Sequence, residues 1–367
     1  MSFINEVNIR GFRGIKQLNL PHLSQINLFV GQNNSGKTSL LEALELSCRP
    51  LDITQLVITS KSRDRVWNGP IRMPTIESVI WMFPHISNEK DEAREIFIES
   101  QVNEVKRTYK VSCTEQQVLQ SISRVTRSKA TNIDEVSEEE VRALSIKMEY
   151  NDEESKREYS EEFILTDQFR FVRDKNIEIK ILKHRMVTPI DHRVQPISAR
   201  HLTRSIMSGE KNDIIELLQK FDKNIEGIEV LSPDGRSPVP FFKHKLMGYA
   251  PVSVFGDGVR RVLTIATAVL QCKDGILLID EIETAVHTKL FEKFFDWLVS
   301  LCEEYNVQLF ATTHSLETID AILSAEKNNL EKLIAYRLET NDDYTDAKKF
   351  VGQDLYDIRY ELGQDVR

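Results

Sequence analysis

A strand, a glycine-bounded loop and a helix follow one another without a break over residues 26–43, and no other stretch constrains the fold as strongly. Ile26, Leu28, Phe29 and Val30 read as a short buried strand. Residues 31–38, Gly-Gln-Asn-Asn-Ser-Gly-Lys-Thr, then carry two glycines, a lysine and a threonine at the spacing of a phosphate-binding loop. Gly31 allows the sharp exit from the strand. Gly36 lets backbone N–H groups approach phosphates, and Asn33, Asn34 and Ser35 between the glycines complete an anion nest. Lys37 supplies a compact charge for the β and γ phosphates, and the Thr38 hydroxyl is a ligand for a magnesium ion that keeps most of its waters. From Ser39 onward, Leu40, Leu41 and Leu44 with Glu42 and Glu45 form an amphipathic helix whose N-terminus adds its dipole to the same site. Taken alone, the stretch competes with a blander reading, a glycine turn that binds nothing.

A second stretch fits the first. Residues 275–281, Gly-Ile-Leu-Leu-Ile-Asp-Glu, read as a fully buried parallel strand that delivers two carboxylates to its C-terminal edge, where ligands of open α/β sheets bind. There Asp280 would hold magnesium through its water shell, and Glu281 would orient or activate the water that attacks a γ-phosphate, unless the pair is an acidic strand edge with no catalytic meaning. Twenty-two residues earlier, Gly258 lies in a glycine turn, Phe255-Gly-Asp-Gly-Val-Arg-Arg261, before a helix with Val262, Ile265, Ala266 and Val269 on one face. That turn is a second candidate anion seat, with Gly256, Asp257 and Gly258 at a helix N-terminus. Thirty-four residues after Asp280, a strand-like run from Gln308 ends in His314, placed to meet a phosphate; a lone histidine there otherwise caps a turn.

The rest of the chain bounds the function. With 367 residues and 41% hydrophobic content there is room for a sizeable core. No apolar run approaches a membrane span and the opening residues lack signal-peptide character, so the cytoplasm is expected. Cys48, Cys113, Cys272 and Cys302 are scattered without a Cys-x-x-Cys pair and read as buried apolar residues. A net charge of −9 disfavours non-specific coating of nucleic acid. Residues 3–30 read as a hairpin feeding the loop strand, and 95–102 with 106–113 as an antiparallel pair with one wet face. Residues 50–84 give no clear pattern. The acidic stretch 115–162 reads as a helical excursion or a mobile insertion. Residues 163–187 alternate again, with Ile177, Ile179 and Ile181 on one side, and 212–221 make a core-facing helix. Between 183 and 204 the charge reverses: Lys183, Arg185, Arg193, Arg200 and Arg204, with His184, His192 and His201, face a lone Asp191. Such a stretch tracks a phosphate backbone, reaches a nucleotide across a subunit interface, docks an acidic partner, or is ordinary surface.

Together these motifs resemble the ATP-binding head of ABC-type ATPases, most closely the branch containing RecF, the SMC-like proteins and the OLD-like ATPases of bacterial defence systems. Residues 31–38 resemble its Walker A, 255–261 its signature, 276–281 its Walker B, 283–287 its D-loop and His314 its switch histidine. The opening Ile9-Arg-Gly-Phe-Arg-Gly-Ile is similar to the phrase that begins such heads. The resemblance implies an α/β P-loop fold of ABC-ATPase type: a mixed central sheet with flanking helices, an antiparallel β subdomain and a helical, charged insertion. It divides the chain into 1–114 with Walker A, an insertion over 115–249, 250–340 with the remaining motifs, and a tail, 341–367.

The resemblance also implies ATP and Mg2+ as ligands, with ATP sandwiched between the Walker A of one subunit and the signature of another, so that a homodimer or higher oligomer completes the site. Lys37, Glu281 and His314 would then be catalytic, Thr38 and Asp280 would hold the metal, and Arg13 and Arg260 would be further phosphate contacts. Two departures stand out. Gly256 replaces the usual signature serine and removes a hydroxyl donor, which slows hydrolysis. No Q-loop glutamine is evident beyond Gln168 and Gln195, which match by position alone. The expected function is an OLD-like ATPase that dimerises on ATP and gates a separate effector, a nuclease or Toprim-like protein, in anti-phage defence. The tail is too short for a nuclease and no heptads provide a coiled-coil arm. The alternatives are a RecF-like clamp that holds DNA through Lys183, Arg185, Arg193, Arg200 and Arg204, and a nucleotide sensor with negligible turnover.

Overall fold

The structure, a computed structural model, describes residues 3–66, 73–84, 94–125, 134–167, 179, 181–194, 199–207, 209–341 and 344–367. The expected hairpin forms from Ile4–Phe12 (β1) and Ile15–Leu20 (β2), with Val7, Ile9, Leu18 and Leu20 turned inward by period-two alternation. Ile26–Val30 (β3) is buried at every position and runs through the glycine loop into Lys37–Ser47 (α1). Residues 50–84, unreadable from pattern, hold Ile53–Ser60 (α2) and Thr75–Ile80 (α3); Asp52 caps α2 by accepting the Gln55 amide.

Arg94–Val102 (β4), Val105–Val125 (β5), Asp134–Asp152 (β6) and Arg157–Thr166 (β7) then extend the hairpin into an antiparallel sheet, ordered β2-β1-β4-β5-β6-β7. The β4–β5 pair is the one the alternation predicts. The acidic stretch is a correction: its described residues, 115–125 and 134–162, form no helix but lie in β5, β6, β7 and the turn between the last two, and the expected break between 114 and 115 falls inside β5. Leu144, Ile146, Met148 and Tyr150 alternate into the core while Lys147 faces water.

The helical part of the insertion comes later. After His184–Val187 (β8) come Asp191–Val194 (α4), Ala199–Met207 (α5) and Lys211–Phe221 (α6), and α6 buries Ile214, Leu217 and Leu218 as its spacing predicts. Ile225–Leu231 (β9), Val239–His244 (β10) and Gly248–Pro251 (β11) make a small antiparallel sheet. The remaining elements alternate: Asp257–Gln271 (α7), Ile276–Ile279 (β12), Phe291–Glu304 (α8), Gln308–Thr312 (β13), Leu316–Ala325 (α9), Leu333–Thr340 (β14), Thr345–Val351 (β15) and Gly352–Tyr356 (α10).

The central sheet has the order β15-β14-β3-β13-β12-β8, parallel from β14 to β8 with β15 antiparallel. It is buried on both faces, which explains its continuous apolar strands. Leu28, Leu277 and Leu309 face a core shared with α6 to α9, while Phe29, Leu278 and Phe310 face a core shared with α1 to α3 and the larger antiparallel sheet. The fold is that of the expected α/β P-loop class, with a mixed sheet, flanking helices and an antiparallel β subdomain. Because β3, β13 and β12 are adjacent and parallel, their C-terminal ends bring residues 31, 313 and 280 to one edge. All four cysteines are buried. No helix among the described residues is long and apolar enough to cross a membrane.

Candidate nucleotide site

The loop after β3 has the backbone geometry its glycines suggest. Gly31 and Gly36 have φ of 136° and 90°, and Asn34 joins them at 65°. A side chain at Gly31 is excluded twice, by that φ and because a Cβ would sit 2.4 Å from the Leu338 carbonyl oxygen. Gly36 caps α1 without a side-chain acceptor, so the first amides of the helix have no capping oxygen from that residue. Asn33 and Asn34 lie exposed on the loop crest, and Ser35 is buried beneath them. Lys37 folds back into the loop, donating to Gly31 O at 2.8 Å, Gln32 O at 2.7 Å and Ser35 Oγ at 3.3 Å. Burial lowers its pKa, against the opposing pull of Asp280, Glu281 and Glu283. Beside the loop opens a cleft of 570 Å³ lined by Gly31, Asn33, Asn34, Arg337 and Arg367 among others.

The two halves read from the sequence meet. Thr38 Oγ1 lies 3.0 Å and 3.2 Å from the two carboxylate oxygens of Asp280, 242 residues away in the chain. Strands about 4.8 Å apart bring this about, since β13 alone separates β3 from β12. Asp280 is 7% exposed, and burial raises its pKa, opposed by hydrogen bonds from Thr312 and Thr38. A hydroxyl and a carboxylate at this separation are the hard oxygen donors that Mg2+ takes, so the residues fit the ion.

Thr312, which sequence reasoning passed over, ties the site together: its hydroxyl donates to Asp280 Oδ1 at 2.7 Å and accepts the Glu281 amide at 2.8 Å. Glu281 adopts a φ of 45°, a conformation costly for a residue with a side chain, and stands exposed with Thr284 Oγ1 at 3.1 Å from Oε2. His314 follows β13, its amide bonded to Glu283 Oε1 at 2.9 Å and its carbonyl accepting from Arg367 at 3.0 Å.

Arg261 was also missed. It is wholly buried and donates to the carbonyls of Thr188, Asp280 (3.2 Å) and Glu281 (3.3 Å), joining α7 to the carboxylate-bearing end of β12. Burial brings its pKa down to about 10, which leaves it charged at neutral pH.

Other expected residues stand elsewhere. Arg13 pairs with buried Glu42, its Nε 2.7 Å from Oε2, and donates through Nη2 to the Thr59 carbonyl at 3.0 Å, so in this structure its guanidinium is turned to α1 and α2. Arg63 pairs with the same Glu42 at 2.7 Å and donates to Ser39 Oγ at 2.9 Å, so the Ser39 hydroxyl serves Arg63. Gly256 is exposed, Gly258 packs against the turn after β12 with its Cβ position 3.0 Å from Ala285 O, and Asp257 accepts hydrogen bonds from Arg193 and Arg260.

Among the described residues, the basic stretch divides between the two ends of β8. Lys183 donates to Lys273 O at 3.1 Å before β8 begins, whereas Arg193 lies past its end on Asp257. Gln168, Gln195, Ile177 and the side chains of Arg200 and His201 lie outside the described residues.

The chain is similar to several known proteins. A family model described as "AAA domain, putative AbiEii toxin, Type IV TA system" matches residues 26–320. The chain is similar to an ATP/GTP phosphatase of Helicobacter pylori, 24% identical over 372 residues that cover 96% of each protein. It is also similar to an uncharacterized protein of Methanocaldococcus jannaschii, 35% identical over 114 residues, 98% of that protein and 30% of this chain. Among solved structures, an Smc head bound to the C-winged helix domain of ScpA superposes with a TM-score of 0.50 at 12% identity, over 99% of this chain and 100% of that one. At that identity the likeness is one of fold.

Proposed function

The chain belongs to the AAA-domain family whose model spans residues 26–320, ATPases of the AAA/ABC type, and we propose that it binds and hydrolyses ATP with Mg2+ in a site completed by a second copy of itself. The observation that carries this is the approach of Thr38 Oγ1 to Asp280 at 3.0 Å, which joins the phosphate loop to the acidic strand end. In this reading Lys37 leaves its loop carbonyls for the β and γ phosphates. Bound between Thr38 and Asp280, Mg2+ would neutralise charge on the phosphates. Glu281, exposed on its strained backbone, orients the attacking water and accepts its proton, and His314 polarises the γ-phosphate from the end of β13. The amides of residues 256–258, from the second copy, close the far side.

Closure on ATP, in the finer form of this reading, gates a separate effector protein. A family described by a toxin of a two-component system and a relative named as an ATP/GTP phosphatase both favour a nucleotide-driven switch over a structural role. Phosphate release from ATP and from GTP tests the core of the reading. Lys37→Ala is expected to abolish binding, and Glu281→Gln to lower kcat about 1000-fold while preserving binding and a nucleotide-held dimer. Wild-type protein that neither binds nor hydrolyses nucleotide, or a Lys37→Ala variant that behaves as wild type, refutes it.

A further inference from the structure

The N-terminus of α7 carries a carboxylate gripped by groups from a distant part of the chain. Asp257 accepts from Arg193 Nε at 2.7 Å, with a second, shorter contact from Nη2, and also from Arg260. His192 Nε2 lies 3.8 Å from the same Oδ2. His192 is 5% exposed, yet neither of its ring nitrogens has a hydrogen-bond partner. Gly256 caps the helix with no side-chain oxygen, so amide donors and the positive end of a four-turn dipole point the same way. Two guanidinium groups therefore share one carboxylate, beside an unsatisfied imidazole and helix amides. A phosphate, doubly charged and with three oxygens, satisfies such a donor set better than a carboxylate does. Arg193 is 62% exposed, so its side chain is free to turn from one anion to another.

We propose that Arg193 acts in trans on the γ-phosphate of ATP held by a second copy's phosphate loop, and that Asp257 holds its guanidinium in the separated chain and releases it on closure. This rests on the ATP-sandwich reading. It accounts for the glycine at position 256: where a signature serine would offer a hydroxyl, Arg193 brings a planar fork of donors to the same helix N-terminus. Nothing lies within 4 Å of a Cβ built at Gly256, so the place beside it is open to an incoming phosphate and to the fork that meets it. Arg193 lies outside the loop, signature and acidic-strand motifs, in the short α4 after β8, and reaches the helix only because α4 packs against α7.

The test uses the full chain, steady-state ATP hydrolysis and sedimentation. Arg193→Gln is expected to lower kcat about 100-fold with KM changed by less than threefold, and Arg193→Lys, which keeps charge but loses the fork, to fall between. Asp257→Asn should lower the protein concentration at which the rate per chain is half-maximal, because the latch is gone. The decisive arm mixes Arg193→Gln with Lys37→Ala chains. Alone, Lys37→Ala is inactive and Arg193→Gln retains about 1% of the rate, but a mixed dimer pairs one intact phosphate loop with one intact Arg193, so activity rises well above the sum of the two. A rate for Arg193→Gln within twofold of wild type overturns the proposal. So does a mixture that recovers nothing although wild-type protein dimerises on ATP, since Arg193 then acts within its own chain or only structurally. Wild-type protein that does not dimerise on ATP at all refutes the sandwich itself.

Discussion

Replacing Arg261 by methionine should damage stability and turnover while sparing nucleotide affinity. The side chain is wholly buried and its three hydrogen bonds all go to backbone carbonyls, of Thr188, Asp280 and Glu281. Methionine matches its reach but donates nothing: the Asp280 carbonyl loses this donor in a buried position, whereas Thr188 O keeps the Asp191 amide and Glu281 O the Thr284 amide, so the loss is about 1 kcal/mol for each bond and more at Asp280, partly offset because a buried charge disappears. The net expectation is a loss of about 1–3 kcal/mol, which at an m-value near 3 kcal/mol/M moves the urea midpoint down by about 0.3–1 M. The catalytic consequence follows from Glu281, whose φ of 45° is held by Thr312 on its amide and Arg261 on its carbonyl. Such a conformation stores about 1–3 kcal/mol, and removing one restraint lets it relax, moving the carboxylate off its water. A drop in kcat of about tenfold or more is expected. KM for ATP should hold, because Lys37 and Thr38 stand on α1 and make no bond to Arg261. Urea denaturation paired with steady-state kinetics reads both effects. A variant with an unchanged midpoint and unchanged kcat, or one that loses only affinity, refutes the reasoning.

Two further perturbations probe separate parts of the account. Glu326, 1% exposed with both carboxylate oxygens unpartnered, has its pKa pushed up to about 7 by burial and then by Glu303. The folded chain thus keeps a proton that the unfolded chain releases above its ordinary value of 4.5, so stability falls as pH rises from about 4.5 to about 7, by at most about 3 kcal/mol. Glu326→Gln should remove that slope and raise Tm at pH 8 but not at pH 5; a variant that loses stability with pH as wild type does contradicts this. Thr312→Val deletes the hydroxyl bridging Asp280 and the Glu281 amide. The Mg2+ concentration for half-maximal hydrolysis should rise about 10–100-fold, and an unchanged Mg2+ dependence would count against the metal assignment.

What the sequence made legible was contiguous. The phosphate loop and the acid-tipped strand announce themselves because each packs its chemistry into eight residues or fewer, and the parallel sheet follows from apolar runs too continuous for a half-wet strand. What it hid depends on distance or on competing signals. Arg261 lies four residues before Ile265, on the apolar face of α7, so its burial was written in the helical period; an arginine there reads as solvated until its three carbonyl partners are seen. Residues 138–162 carry enough acid to suggest a solvated helix, yet Leu144, Ile146, Met148 and Tyr150 keep a strict period of two, and it was the period that folded. Arg13 matches its opening phrase but answers to Glu42, a buried charge on α1 that no local pattern assigns to it. Arg193 belonged to a basic run that β8 divides, and its partner Asp257 is 64 residues away.

The central claim, that Lys37 and the helix end at Gly258 serve one ATP from two different chains, is tested most directly by the mass of Glu281→Gln protein in solution with and without ATP and Mg2+. Sedimentation equilibrium should give the mass of one chain, 42.4 kDa, in the absence of nucleotide and at least twice that mass in its presence, with Lys37→Ala in the same background remaining single. A protein whose mass is indifferent to ATP, or a Lys37→Ala variant that still assembles on addition of ATP, would contradict the account.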